Sequence, residues 1–202
     1  VNNAFGGNVN YDQWNVVAGD AATTATARNA SLSQIYVGGG GADAFTGGNL
    51  GDVILAGAGN DTLNGGLGND RLYGGAGQDS YLFSGAWGND TITDSDGLGQ
   101  IKLGDASAPA LTGGKKLLDN VWESDDHSTI YTLQGAVGAQ NLIIGQRTTP
   151  GSSTASGTIT VQGWVNGQLG INLDSAFAAQ PPNIRLLNGD QRAPLSGTSY
   201  NW

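Results

Sequence analysis

Between Gly38 and Thr93 a large apolar residue recurs every nine positions: Phe45, Ile54, Leu63, Leu72, Tyr81 and, after two inserted residues, Ile92. That interval matches neither the 3.6-residue stripe of an amphipathic helix nor a sustained alternation of two. It predicts three-residue strands in which only the middle side chain faces inward, because successive strand residues point to opposite faces. One such strand cannot bury its apolar residue alone. Stacked copies can, because their middle residues then line up as a continuous core.

The rest of each unit is as regular. The nines are Gly38–Thr46 (GGGGADAFT), Gly47–Leu55 (GGNLGDVIL), Ala56–Asn64 (AGAGNDTLN), Gly65–Tyr73 (GGLGNDRLY), Gly74–Leu82 (GGAGQDSYL) and Gly85–Thr93 (GAWGNDTIT). The sixth place is always aspartate: Asp43, Asp52, Asp61, Asp70, Asp79 and Asp90. Leu50 replaces the fourth-place glycine, and Ala56 and Ala86 replace glycine in the first two places. Glycine in the first six places predicts a sharp turn with positive φ; places seven to nine are the strand. Two units then make one coil, so each turn stacks on its second neighbour. Asp43, Asp61 and Asp79 fall on one edge, and Asp52, Asp70 and Asp90 on the other.

Carboxylates in each column stand about 4.8 Å apart, one strand spacing, and Arg71 is the only cation in the block. The columns repel themselves. A hard divalent cation between successive turns relieves this, taking six to eight oxygens from carboxylates and turn carbonyls. Calcium suits such a site better than magnesium, which demands tighter geometry, or zinc, which lacks nitrogen and sulfur ligands here. The candidate ligands are the six aspartates with the first-place residues Gly38, Gly47, Ala56, Gly65, Gly74 and Gly85. The third-place residues Gly40, Asn49, Ala58, Leu67, Ala76 and Trp87 join them.

Composition narrows the classes further. The chain of 202 residues has 35 glycines, no cysteine, one histidine and a formal charge of −9. That excludes a disulfide framework, a thiolate zinc site and a cysteine nucleophile. The negative balance opposes a nucleic-acid partner, and no apolar run reaches the roughly 18 residues of a membrane span. Val1 is no initiator, no signal-like stretch follows it, and the chain reads as an excerpt of a longer protein.

The six GGxGxDxUx units of Gly38–Thr93 resemble the RTX (repeats-in-toxin) haemolysin-type family of secreted bacterial proteins. The resemblance implies an all-β parallel β-roll (a β-solenoid) with a C-terminal β-rich cap, calcium held between turns, and type I secretion of the parent chain. Ions between second-neighbour turns give the pairs Asp43/Asp61, Asp61/Asp79, Asp52/Asp70 and Asp70/Asp90. These are about four ions, whose charge of about +8 nearly cancels the formal −9. Asp94 or Asp96, beside Asp79, adds a fifth.

The expected organisation is a flank with a degenerate capping coil over 1–37, the roll over 38–105, the cap over 106–180 and a linker over 181–202. Asn29–Val37 keeps the period with Gln34 in the aspartate place and Tyr36 in the apolar one. Ala21–Ala27 reads as a short helix or a loop, and Asp12 and Asp20 have no evident partners. The two residues inserted before Gly85 should push the Asp90 turn out of the stack. After a modified turn at Asp94–Gly97, strands are expected through Ile101 and Leu103 and at Thr129–Leu133, Asn141–Gly145, Gly157–Trp164 and Leu169–Leu173. Pro109, Gly113-Gly114, Gly135 and Pro150-Gly151 punctuate them.

Catalytic groupings are sparse. His127 lies in Glu123-Ser124-Asp125-Asp126-His127-Ser128, which reads as a polar hairpin loop; Asp125 and Asp126 are a further candidate cation pair. No Gly-x-Ser-x-Gly elbow occurs, and every proline follows Ala, Thr, Gln or Pro, so no Asp-Pro bond is present for self-cleavage. The reading is a non-catalytic, calcium-dependent module, secreted or at the bacterial surface, which folds on calcium binding outside the cell. The alternative is an adhesin or recognition module in which calcium is structural. Trp87, in a variable turn position, would then stack on a glycan or peptide with Trp122, Trp164 and Trp14, unless Trp164 is core and Trp87 packs on the cap.

Overall fold

The computed structural model describes residues 14–16, 21–147 and 157–177. The expected linker over 181–202, Asp12, Asp20 and the Pro150-Gly151 break lie outside them.

Ten short strands alternate between two sheets: β1 (Trp14–Val16), β2 (Thr24–Thr26), β3 (Ile35–Val37), β4 (Ala44–Thr46), β5 (Val53–Ala58), β6 (Thr62–Asn64), β7 (Arg71–Ala76), β8 (Asp79–Phe83), β9 (Asn89–Thr93) and β10 (Gly99–Leu103). The odd strands stack in parallel in one sheet and the even strands in the other. Ile35 pairs with Val53 and Val53 with Arg71, so successive strands of a sheet are one coil apart. This is the expected parallel β-roll. Tyr36, Ile54, Leu72 and Ile92 form one inward row and Phe45, Leu63, Tyr81 and Ile101 the facing row, all 0–1% exposed. Each buried side chain of this size contributes about 1.5–3 kcal/mol.

The stack runs past Asn29–Val37 to β1 and β2, so Ala21–Ala27 contributes a strand and not a helix. In β2 the two threonines face outward and Ala25 between them packs on the core. The inserted Phe83-Ser84 does not displace the Asp90 turn: Arg71 pairs with Thr91 and Leu72 with Ile92. The extra residues are taken up at the corner, where β8 extends through Phe83 and Gly85 turns at φ 76°.

The cap adds β11 (Gly113–Leu118), β12 (Val121–Glu123), β13 (Thr129–Gln134), β14 (Asn141–Gln146), β15 (Thr158–Val161) and β16 (Asn172–Phe177). β15 pairs in parallel with β9; β14, β13, β12 and β11 follow as an antiparallel meander, and β16 closes the order beside β11. Roll and cap thus share one eleven-stranded sheet. Gly157 makes the junction possible, because a β-carbon there would overlap the Gly88 carbonyl. The expected strand at Leu169–Leu173 begins only at Asn172. Leu169 sits in a 3₁₀ turn, Gln168–Gly170, with φ 53°, buried against the end of the roll. Gly113-Gly114 opens a strand where a break was expected.

Two side-chain rows cross the junction. The apolar row Tyr36–Ile54–Leu72–Ile92 continues in register as Val161, Leu142 and Leu133. The neighbouring row begins as Gln34, Asp52, Asp70 and Asp90 and continues as Ile159, Ile144, Tyr131 and Trp122. The acids give way to apolar residues where the roll ends.

Candidate metal centre

Each repeat aspartate ends a glycine turn and begins a strand, which points its carboxylate back into the turn. All six are 0–2% exposed. The columns anticipated from the sequence are present, and their spacing is held by a ladder. Asp43 N–H donates to Asp61 Oδ1 at 2.7 Å and Asp61 N–H to Asp79 Oδ1 at 2.8 Å. On the other edge Asp52 N–H donates to Asp70 Oδ1 at 2.7 Å and Asp70 N–H to Asp90 Oδ1 at 2.8 Å. One oxygen of each carboxylate therefore fastens the coil before it.

The other oxygen is the informative one. Oδ2 of Asp61, Asp70, Asp79 and Asp90 is buried with no hydrogen-bond partner. Asp43 Oδ2 accepts from Gly39 N–H at 3.2 Å and Asp52 Oδ2 from Gly48 N–H at 2.6 Å. Unpaired buried carboxylate oxygens are costly. Burial raises the Asp52 and Asp61 carboxyls above the ordinary range, with Asp43 adding to the effect on Asp61. Burial, then the charges of Asp90 and Asp52, pushes Asp70 up to about 7; burial does the same to Asp90, also to about 7. Asp79 rises to about 6 through burial and the charges of Asp61, Asp94 and Asp96.

The first-place residues leave a cradle beside these oxygens. A β-carbon on Gly38 would overlap the Ala56 carbonyl oxygen and lie 2.6 Å from Asp43 Oδ2. On Gly47 it would overlap the Gly65 carbonyl oxygen and Asp52 Oδ2. First-place carbonyls and carboxylates thus converge on one small space per turn. Among the described residues no three acidic or histidine side chains gather at one point. The six to eight oxygens that calcium takes must then include main-chain carbonyls. An oxygen-only cradle with an orphaned carboxylate oxygen fits a hard dication.

The expected third-place ligands differ among themselves. The Ala76 carbonyl already accepts from Gly59 N–H at 2.8 Å. Trp87, read from the sequence either as a stacking residue at the surface or as packed on the cap, is 4% exposed, with its ring edge-on to Phe83 at 6.0 Å. The two inserted residues turn that corner inward. Leu50 needs no left-handed backbone, and the Asp52 turn keeps its carboxylate bonds despite it.

The ends of the columns are closed without acids. Gln34 N–H donates to Asp52 Oδ1, and the Gln34 carboxamide donates to the Leu32 carbonyl at 3.1 Å inside its own turn. On the far edge Gly99 stands in register with Asp79. Asp94 Oδ2 accepts from the Tyr81 hydroxyl at 2.6 Å, and Asp96 Oδ2 accepts from Gly77 N–H at 2.8 Å. Hydrogen bonds already engage both acids of the expected fifth site. Asp125 and Asp126 do not form a cation pair: Asp125 meets Lys115 at 3.0 Å, whereas Asp126 Oδ1 accepts from Ser124 and Ser128 hydroxyls at 2.6 and 2.8 Å. His127 lies in the expected hairpin loop, its Nδ1 2.7 Å from Glu123 Oε2, and Arg147 also pairs with Glu123.

Sequence reading did not anticipate the N–H-to-carboxylate ladder, nor a second ladder outside it. Asn60 and Asn69 accept from the Gln78 and Asn89 N–H groups of the next coil at 2.8 Å. The signal was the recurrent asparagine in the fifth place.

Residues 46–81 match the family profile of the RTX calcium-binding nonapeptide repeat, in four copies. This stretch of the chain is an RTX calcium-binding repeat, and the same turn geometry extends beyond it to Asp43 and Asp90. A search of curated proteins gave no match.

Proposed function

We propose that this chain is the calcium-responsive, non-catalytic module of a larger secreted bacterial protein, folding when it meets calcium after type I export. The observation that carries this is the set of four buried, partnerless carboxylate oxygens on Asp61, Asp70, Asp79 and Asp90, aligned in two columns. Without a counter-ion each column sets like charges in a dry turn, at a cost of about 3 kcal/mol per neighbouring pair near 5 Å for an effective dielectric of about 20. Four such gaps, Asp43/Asp61, Asp61/Asp79, Asp52/Asp70 and Asp70/Asp90, are the proposed ion positions. Calcium supplies charge neutralisation and crosslinks between coils; the chain supplies carboxylates, carbonyls and the apolar rows.

At the low calcium of a cytosol the roll is then disfavoured and the chain stays threadable. Extracellular modules bind at about 10⁻⁴–10⁻³ M, so binding and folding coincide outside. Circular dichroism during a calcium titration tests this. The expected result is a cooperative gain of β-signal, and an unchanged folded spectrum in excess chelator refutes it.

The recognition alternative loses its original support. Trp87, Trp122 and Trp164 are 4, 8 and 5% exposed, and Trp122 and Trp164 spend their indole N–H groups on the Asp174 and Gln168 carbonyls.

A further inference from the structure

The Asp43–Asp61–Asp79 column ends where the coil after it departs from the repeat. Residues 94–102 (DSDGLGQIK) keep the nine-residue length, yet Asp94 stands in the first place and Gly99 in the sixth. Gly99 is in register with Asp79 and Ile101 with Tyr81, so this coil stacks like the others but brings no sixth-place carboxylate to the edge. Asp79 is 0% exposed and its Oδ2 has no hydrogen-bond partner.

What stands beside that oxygen differs from the other turns. Where a β-carbon on Gly38 or Gly47 would sit, it meets the repeat carboxylate and the first-place carbonyl oxygen of the next coil, from Ala56 or Gly65. Where a β-carbon on Gly74 would sit, it meets Asp79 Oδ2 and the Tyr81 hydroxyl oxygen. Tyr81 therefore holds the position that a carbonyl oxygen holds in those turns. Among the eighth-place residues of the six units it alone carries a hydroxyl.

A phenol there is either a ligand or a plug, and its hydrogen bonds decide. It donates to Asp94 Oδ2 at 2.6 Å, and the Gly74 N–H lies beside the same oxygen. A phenol has one proton, keeps it at neutral pH and offers few lone pairs. Here the proton goes to the next coil's first-place carboxylate, and an N–H faces the lone pairs that an ion would need. The side chain is 0% exposed. Tyr81 thus occupies the cradle, separates Asp79 from Asp94 and holds Asp94 in place with no charge of its own.

We infer that the Asp79 turn is a calcium cradle held shut by the Tyr81 hydroxyl, which ends this column and limits how many ions it takes. The inference rests on the calcium reading above. Flow dialysis with radiolabelled calcium, at saturation and on the full chain, tests it by counting bound ions. Tyr81→Leu installs the side chain that fills the eighth place at Leu63 and Leu72. It should bind one more ion per chain than the parent, because the Asp79 and Asp94 carboxylates lose the plug between them. Adding Asp94→Asn to it should return the count to the parent's. Tyr36→Phe is the control: its hydroxyl donates to the Thr46 carbonyl at 2.9 Å and not to a carboxylate, so the count should stay. A merely structural hydroxyl would change stability and leave the count alone. If Tyr81→Leu does not fold, Tyr81→Phe, which matches Phe45, carries the same comparison. A folded Tyr81 variant with an unchanged count overturns the assignment, and a count lower by one does so too, by making the hydroxyl a ligand. A parent that binds no calcium fails the calcium reading itself, on which circular dichroism reports separately.

Discussion

Asp70→Asn separates the two roles of a repeat aspartate, because its effects should have opposite signs. Asp70 is 1% exposed; its Oδ1 accepts from Asp52 N–H at 2.7 Å and its Oδ2 has no partner. In the metal-free roll its carboxyl sits at about 7, raised from 3.8 chiefly by burial. A folded-state value above the unfolded one means that the metal-free fold loses stability as pH rises from about 4 to about 7. Three units at about 1.4 kcal/mol each set a ceiling of about 4 kcal/mol at pH 7.5. The polarisable turn around the carboxyl, which acts as a higher effective dielectric than a dry interior, reduces this to about 2 kcal/mol. Asparagine keeps the Oδ1 acceptor and the shape but carries no charge, so the metal-free roll should gain about 2 kcal/mol. Calcium loses a charged ligand shared by two neighbouring gaps, and its midpoint should rise at least tenfold. The assay is circular dichroism, once in chelator with rising sucrose, which favours compact states, and once against calcium. The variant should fold at lower sucrose yet need more calcium. Asp119→Asn, in an exposed pair with Lys116, is the control and should change neither. A variant that needs more sucrose than the parent, or an unchanged calcium midpoint, refutes the buried-charge reasoning.

Protons and calcium should compete for the same oxygens. With Asp70 and Asp90 at about 7 and Asp79 at about 6, lowering pH from 7.5 to 5.5 should raise the calcium midpoint and, in chelator, favour the metal-free roll. Calorimetry in two buffers of different ionisation heat near pH 6.5 should show net proton release; a pH-independent midpoint contradicts it. Gly47→Ala puts a methyl into the oxygen cradle of Asp52 and Gly65, whereas Gly145→Ala meets nothing within 4 Å. The first should lower calcium affinity and thermal stability and the second should leave both within about 0.5 kcal/mol, as read by melting curves. Ile159→Ala, at a residue 1% exposed where the cap meets the roll, should cost about 2–5 kcal/mol of holo stability in urea unfolding.

The roll was readable because its period writes itself into every unit. Nine-residue spacing of Asp and a large apolar residue defines strand, turn and stacking partner together. The Asp90 misjudgement came from counting residues, since an insertion absorbed at a corner leaves the register of β7 and β9 unchanged. The cap was only half readable. Thr129–Gln134 and Asn141–Gln146 alternate clearly and were expected as strands. Gly113–Leu118 carries glycines and lysines that read as a break, and only its pairing with β12 and β16 makes it a strand. For Trp87 the sequence left open a solvent-facing stacking role or packing on the cap; it is buried, and Phe83 is the ring it meets, a contact that no local pattern records.

The row that changes from aspartate to isoleucine suggests why the roll needs this cap. A repeat coil offers the next coil two things, a set of strand hydrogen-bonding groups and a carboxylate that requires a counter-ion. A further coil would satisfy both but would end in the same need, so the repeat cannot terminate itself. β15 accepts the strand pairing of β9 while setting Ile159 opposite Asp90. The hydrogen-bonded sheet therefore continues while the chain of charges stops. Every residue after Ile159 in that row, through Ile144, Tyr131 and Trp122, is buried and carries no charge. The cap, on this reading, presents β9 with a preformed neighbour that needs no ion. Coils adjacent to it then begin from an ordered template, and calcium-driven folding should start at the Asp70/Asp90 end and spread toward Asp43.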